Sequence, residues 1–393
     1  MDARCDQMRG VGMNKNKALI ISFLTLSLLM LVLFNSYGQK FSEWKGSIET
    51  EEGVSIVMNP REPIYGEDIL WIKEELVIGV AEGREEYMFY QIRDIAVDND
   101  GLIYVVEGRS AHIRVFDKNG KYIRTIGRKG QGPGEFQMPC YAQVISQNEL
   151  MIHDYAAFRL TFFSLRGEYL RQKSTAETRI PFIPLKMPEK GYLVVITAGA
   201  PPPTGGKQLR IYDSDLELVK TIAIEERDMR KLFDIGKPTW YGDVSPSGKI
   251  VWGDSSEYVL QVLDQEGKLI KKIVKEYDPV KIPEEDKEEY KKQFAVAIQR
   301  GVGIHFRSHY PAFSEIVVDD EERIFVQTYE RIRGSDEHFY FDVFDPEGKY
   351  LAKVPIRVNL NRISVWKKKK LYTVEEDEGG YLYVKRHKAT WKF

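Results

Sequence analysis

A four-strand unit recurs along this chain, and its last copy is one strand short. Residues 94–127 read DIAVDNDGLIYVVEGRSAHIRVFDKNGKYIRTIG. The parts are an apolar strand, an acidic-glycine turn, a second strand ending in a carboxylate, a loop, a third strand, the tight KNG turn and a fourth strand. The strands are short and alternating, and the turns carry the Asx/Gly chemistry that hairpins need. Related units cover 142–172, 184–224, 242–274 and 315–356, and a truncated unit of three strands runs from 371 to the end.

The missing strand lies at the other end of the repeat region. ELVIGVAEGREEYMFYQIRDIAV at 75–97 parallels IRTIGRKGQGPGEFQMPCYAQV at 123–144. In both, a strand ending in Ile-Gly is followed by an aromatic residue and then by the next first strand. The segment Leu76 to Gly79 is therefore expected to complete the last unit, because strand sharing between the two ends removes free sheet edges. The expected fold is all-β: a six-bladed β-propeller of four-stranded antiparallel blades over 75–393, closed by that N-terminal strand. Aromatic residues make up 12% of the chain, with 22 Tyr and 19 Phe, a usage that suits strands. The region contains a single cysteine, Cys140, so packing and sheet closure have to hold it without an internal disulfide. The thiol itself reads as a small buried hydrophobe.

The connector GRKGQGPGEF at 127–136 holds four glycines and a proline, which raises the question of phosphate binding. A Walker A loop needs G-x-x-x-x-G-K-[ST], which is absent. Gly130, Gly132 and Gly134 are spaced G-x-G-x-G and lead into a strand, whereas a dinucleotide fingerprint leads into a helix. The segment reads as a reversing loop between blades. The units resemble NHL repeats, and the connector resembles the GPGEF segment of exported bacterial six-bladed propeller proteins. The resemblance spans about 75–393; copies three, five and six depart from it by insertions, altered turns or truncation. The GH…WD signature of WD40 repeats is absent.

The N-terminus has another character. Lys15 and Lys17 precede an apolar run from Ala18 to Phe34, followed by Ser36 and Gly38. This is the layout of a secretory signal, at a length that could instead remain as a membrane anchor. Residues 1–38 are thus expected to direct export across a bacterial inner membrane, with Met13 as an alternative start. Cleavage would leave a periplasmic or cell-surface protein, and retention of 18–34 a membrane-anchored one. Residues 39–74 form a lead-in. A net charge of -2 and a pI near 6.4 give no basic footprint for nucleic acid.

Blade topology sorts the loops onto two faces. Turns between first and second and between third and fourth strands are uniformly tight (DNDG, KNG, SPSG, DQEG, DPEG). Every long insertion falls on the opposite face: 127–139, 199–208, 225–240, 276–311 and 330–339. Function concentrates on irregular loops held by a rigid scaffold, which makes this the candidate binding face. One helical insertion is expected near 284–300. Pro283 suits its start, Glu284, Glu285 and Asp286 suit the positive end of its dipole, and Gly301 ends it. Tyr290, Phe294, Ala297 and Ile298 form an apolar stripe, so the insertion is expected to pack on the propeller rim as a lid. It delivers His305, Arg307, His309 and Tyr310 to the same face.

Aligning the second strands gives a ring of residues at their ends: Glu107, Asp154, Thr197, Asp254, Thr328 and Arg386. Repeated positions serve the repeat first, here by carboxylates bonding nearby backbone N–H groups and holding the second-to-third turns. Alternatively, Glu107, Asp154 and Asp254 could hold Ca²⁺, which wants six to eight oxygens. With Arg109, Arg159, Arg331 and Arg386 nearby, the ring could instead take a polar or anionic ligand. No H-E-x-x-H and no G-x-S-x-G motif occurs, so zinc and a hydrolase elbow lack support and no catalytic residue is assigned. The leading reading is an exported, non-enzymatic binding or scaffold propeller, without a required cofactor, recognising a peptide, glycan or protein through its loop face. The second is a calcium-dependent lactonase-like or hydrolase-like propeller enzyme, weakened because the ring offers no Asn. The third is a structural part of a cell-surface assembly.

Overall fold

A computed structural model describes residues 43–145, 149–176, 182–186, 193–197, 207–225, 233–301, 303–335, 338–358, 360 and 363–393, with backbone alone at 182–186, 193 and 195–197. The signal or anchor expected at 1–38, most of the insertion 199–208 and residues 226–232 of the insertion 225–240 lie outside these residues, as does the side chain of Thr197. The compact unit spans Trp44–Phe393.

The repeats form six antiparallel sheets of four strands each. Blade 1 comprises Ile92–Val97, Ile103–Glu107, His112–Phe116 and Tyr122–Ile126, paired in that order. Blade 2 runs from Pro139–Ile145 to Tyr169–Ser174, blade 3 from Phe182–Lys186 to Leu218–Ile224, blade 4 from Trp240–Val244 to Leu269–Lys275, and blade 5 from Glu315–Val318 to Tyr350–Pro355. Blade 6 takes Val365–Lys367, Lys370–Glu376 and Leu382–Trp391 from the C-terminal end. Its outer strand is Leu70–Ile78, in antiparallel register from Val384↔Ile78 to Trp391↔Leu70. The ring is therefore closed by the strand that the repeat arithmetic requires.

Six buried apolar clusters hold the ring, and each bridges one pair of neighbouring blades. At the closing interface Ile78, Tyr372 and Val384 of blade 6 pack against Ile95, Val105 and Phe116 of blade 1. At the next, Val106 and Ile126 meet Phe136, Ile152 and Phe163. The remaining four interfaces follow the same pattern. An aromatic plug from the connector seals several of them: Phe89, Phe136 and Phe313 are each buried. Fully burying such a side chain contributes about 1.5–3 kcal/mol.

The glycine connector now has a physical reading. Glu135 folds back so that its carboxylate accepts from the Gly132 N–H at 2.9 Å and from Arg128 Nε at 2.8 Å. The loop supplies its own anion where a phosphate would have to bind. Gly127 has φ +73°, and a Cβ there would lie 2.3 Å from the Phe136 ring, so the glycine lets the plug reach the core.

The tight turns are Asx-type. Asp98 Oδ1 accepts from the N–H groups of Asp100 and Leu102 at 2.9 and 2.8 Å, and Asp117 repeats this with Asn119 and Lys121. Blades are also stitched through their inner strands. Asp94 Oδ2 accepts from Ala142 N of the next blade at 2.8 Å, and Asp243 Oδ2 accepts from Val318 N at 2.9 Å. This stitching went unread in the sequence.

The lead-in carries two further strands, Ser47–Glu51 and Val54–Asn59; the second pairs in parallel with Leu269–Lys275 and widens blade 4 to six strands. Asn59 pins it: Nδ2 donates to the Gly348 carbonyl at 2.9 Å and Oδ1 accepts from Tyr350 N at 2.8 Å. The expected insertion helix is two pieces, Glu284–Gln293 and Ala295–Gln299, broken at Phe294 where φ/ψ leave the helical region at -99°/15°. Phe294 packs on Phe233 with ring centroids 4.5 Å apart, a contact to the neighbouring insertion 225–240 and not to a blade. Ile298, expected in the packed stripe, is 40% exposed. Past the break its face turns from the rim.

Candidate functional site

Between this insertion and blade 5, on the loop face, lies a cleft of about 490 Å³. One side is a single face of the helix Glu284–Gln293: Asp286, Glu289, Tyr290 and Gln293 stand at i, i+3, i+4 and i+7 and therefore share that face. The other side is the end of the second strand of blade 5 with Tyr329, Glu330 and Arg331, together with Phe339 and the returning Tyr310.

Asp286 is 7% exposed and is the only buried residue of its helix. Arg331 Nη2 donates to Asp286 Oδ1 at 2.7 Å, and the Tyr310 hydroxyl donates to Oδ2. One carboxylate thus latches the helix both to the blade and to its own return segment. Tyr310 stacks on Tyr329 with centroids 4.3 Å apart and planes 3° from parallel. Burial, reinforced by the hydrogen bond to Asp286, raises the Tyr310 phenol well above its usual value. Burial and the nearby Tyr241 do the same for Tyr329. Tyr290 is raised by burial and then by Asp286, and Tyr241 reaches about 12 through burial and Glu315. These phenols stay neutral O–H groups at any physiological pH. Glu330 is paired with Lys353.

Of the residues singled out in the sequence, Tyr310 and Arg331 come together here. His305 does not: its Nδ1 lies 2.8 Å from Asp234 Oδ1, beside the Arg307–Asp234 pair at 3.1 Å, where Phe233–Ile235 pairs with Ile304–Phe306. Burial opposes ionisation of Asp234, but Arg307 and His305 outweigh it and hold the carboxyl below its usual value. His309 contacts Ser308 Oγ at 2.9 Å and does not line the cleft.

The ring of second-strand ends resolves into structure. Glu107 accepts from Tyr90 N at 3.3 Å and Gln91 N at 3.2 Å. Asp154 does the same for Gln137 N and Met138 N at 2.9 and 2.8 Å. Both carboxylates clamp the incoming connector and not the second-to-third turn that had been expected. Asp254 accepts from Trp240 Nε1 at 3.0 Å and Ser256 N at 2.8 Å. Each carboxylate is satisfied within its own blade, and no group of three or more His, Cys, Asp or Glu side chains is placed to share a metal among the described residues. The set Glu107, Asp154 and Asp254 is thus not gathered for calcium.

Arg159 pairs with Asp154 at 3.5 Å and donates to the Gln131 carbonyl at 3.2 Å, tying down the glycine connector. Arg109 is exposed in the loop after Glu107. Arg386 corrects the alignment. It lies in the third strand of blade 6, opposite Leu76 and Tyr372, and reaches the Lys118 carbonyl in a tight turn on the other face. DEGG at 377–380 mimics a first-to-second turn, whereas the innermost strand is the short Val365–Lys367, which precedes the aligned copy.

Sequence reading missed the cleft as an assembly. Asp286 and Tyr290 had been noted for helix dipole and stripe, while Glu289, Gln293, Tyr329 and Phe339 drew no notice. The i, i+3, i+4, i+7 spacing of mixed polar and aromatic residues was the available signal.

Comparisons agree with this architecture. Residues 81–198 match the family model DUF5128, described as a 6-bladed beta-propeller. A putative exported protein from Bacteroides fragilis superposes with a TM-score of 0.53 at 12% identity, over 86% of this chain and 100% of the other. A member of the DUF4221 family from Bacteroides vulgatus gives 0.52 at 13% identity, over 83% and 100%. Virginiamycin B lyase from Staphylococcus aureus is more distant, with a TM-score of 0.42 at 7% identity over 82% and 100%. No curated protein matches the sequence. The chain is a six-bladed β-propeller similar in fold to these Bacteroides proteins. Among the described residues no helix is long and apolar enough to cross a membrane.

Proposed function

We propose that this protein is an exported, non-catalytic recognition propeller that binds a peptide, glycan or protein partner in the cleft between its helical insertion and blade 5. Export rests on the apolar run Ala18 to Phe34 behind Lys15 and Lys17. The observation that carries the binding reading is the latch. A buried carboxylate holds a helix over the rim and leaves a tyrosine-lined space beneath it. Rigid aromatic walls with a few polar groups suit ligand recognition. They offer no nucleophile paired with a base, which acyl transfer or hydrolysis through a covalent intermediate would need.

The test is a thermal-shift screen of the full chain against peptide and glycan libraries, in which a ligand raises Tm by mass action. The expected ligand loses its effect in Gln293→Ala and keeps it in Arg109→Ala. The opposite pattern would move the site to the loop after Glu107 and contradict the proposal. Ca²⁺ and EDTA are expected to leave Tm unchanged; a Ca²⁺-dependent rise would revive the metal-enzyme reading.

A further inference from the structure

We infer that the cleft takes an uncharged, hydroxyl-rich ligand, a segment of neutral oligosaccharide. This rests on the binding reading above and narrows its ligand class. The first argument is charge. Arg331 is committed to Asp286, and Glu330 to Lys353. A phosphate, sulfate or carboxylate would meet an Arg331 charge already balanced by Asp286. A cationic peptide would find Glu330 already neutralised by Lys353 and only the exposed Glu289 left to pair with. Desolvating an anion without a free cationic partner is costly, so the cleft selects against anionic ligands and leaves a cation a single, solvent-exposed carboxylate, Glu289.

The second argument is the surface that remains. Tyr290, Tyr310, Tyr329 and Phe339 line the walls, with Tyr310 and Tyr329 stacked on each other as one aromatic pair. The negative face of an aromatic ring attracts the polarised C–H groups on the flat side of a pyranose, by the electrostatics that orient aromatic pairs edge to face. Beside them the helix presents Glu289 and Gln293, both exposed and, among the described residues, without a hydrogen-bond or ion partner. A carboxylate and an amide are planar groups able to bond two adjacent hydroxyls at once. The Tyr290 phenol adds an O–H donor, while the Tyr310 hydroxyl is spent on Asp286. The volume of about 490 Å³ lies within the range of about 300–1,000 Å³ usual for small-ligand sites. A proline-rich peptide would use the aromatic ridge but not the hydroxyl-bonding pair at one helix face.

The experiment is binding of the intact protein to an array of uncharged oligosaccharides, with acidic oligogalacturonides, lysine-rich peptides and proline-rich peptides as competing arms. Hits are titrated calorimetrically. Pull-down on the matching insoluble polysaccharide separates recognition of a polymer from capture of a free oligosaccharide. We expect at least one uncharged glycan to bind, with Kd changing less than about twofold between 50 and 500 mM salt because no ligand charge is screened. Glu289→Ala and Gln293→Ala should each weaken it about fivefold or more without lowering Tm. Binding by a charged or proline-rich arm alone, lost in those variants, would overturn the glycan assignment and leave the binding site standing. Silence across every arm would overturn both.

Discussion

His153 and Cys140 show how a pair with reactive spacing is made inert by its surroundings. The Cys140 sulfur lies 3.5 Å from His153 Nδ1, the spacing of a nucleophile and its base. Burial, with the Asp94 carboxylate adding to it, pushes the thiol up to about 12. Burial pushes the imidazole down to about 4 from 6.5. Both groups are neutral at pH 7, and thiolate chemistry is shut off. A histidine whose folded pKa is depressed binds fewer protons folded than unfolded, so stability falls as pH drops from about 6.5 towards 4. Glu375 extends the acid loss. Its hydrogen bond to His387 and its Lys385 partner, against burial, hold it near 2 instead of 4.5, and that contribution disappears between about pH 4.5 and 2. A His153→Asn variant should therefore show a shallower Tm decline between pH 6.5 and 4 than the wild type. Parallel Tm–pH curves would reject this assignment. At this scale the sequence showed which positions recur, as at Glu107 and Asp154. It did not show their hydrogen-bond partners, because those backbone groups lie 16 and 17 residues away in connectors of variable length.

Among the elements, two segments translate most directly into stability. Phe136 caps the glycine connector and fills the interface of blades 1 and 2, in contact with Phe163 at a centroid distance of 5.7 Å. Phe136→Ala should cost about 3–5 kcal/mol, read from urea unfolding at constant m-value; a loss below about 1 kcal/mol would mean that the plug is not seated. The insertion helix hangs on Asp286. Asp286→Ala removes the bonds from Arg331 and Tyr310 to the helix, so proteolysis within 284–301 should accelerate about tenfold, equal to about 1.4 kcal/mol of local undocking, while the global Tm moves by only a few degrees. Unchanged proteolysis would show that Phe294 on Phe233 suffices. The helix was legible because its caps and apolar spacing are local. Its break at Phe294 and the parallel strand Val54–Asn59 were not, since both depend on a surface built by distant blades.

For the whole molecule, turn chemistry and a six-fold count were enough to give the ring, and the Leu70–Ile78 closure followed from a single missing strand. The same arithmetic misplaced Arg386, because DEGG imitates the turn of another position in the unit. Ring closure decides which loops share a face, and so decides whether Tyr310, Arg331 and the helix can meet. Hydrogen–deuterium exchange on the intact chain tests it most directly. The amides of Leu70–Ile78 that bond to Leu382–Trp391 should exchange together with those of that strand, and only at the rate of global unfolding. Exchange of these bonded amides within seconds, with the rest of the sheets still protected, would contradict a ring closed by its N-terminal strand.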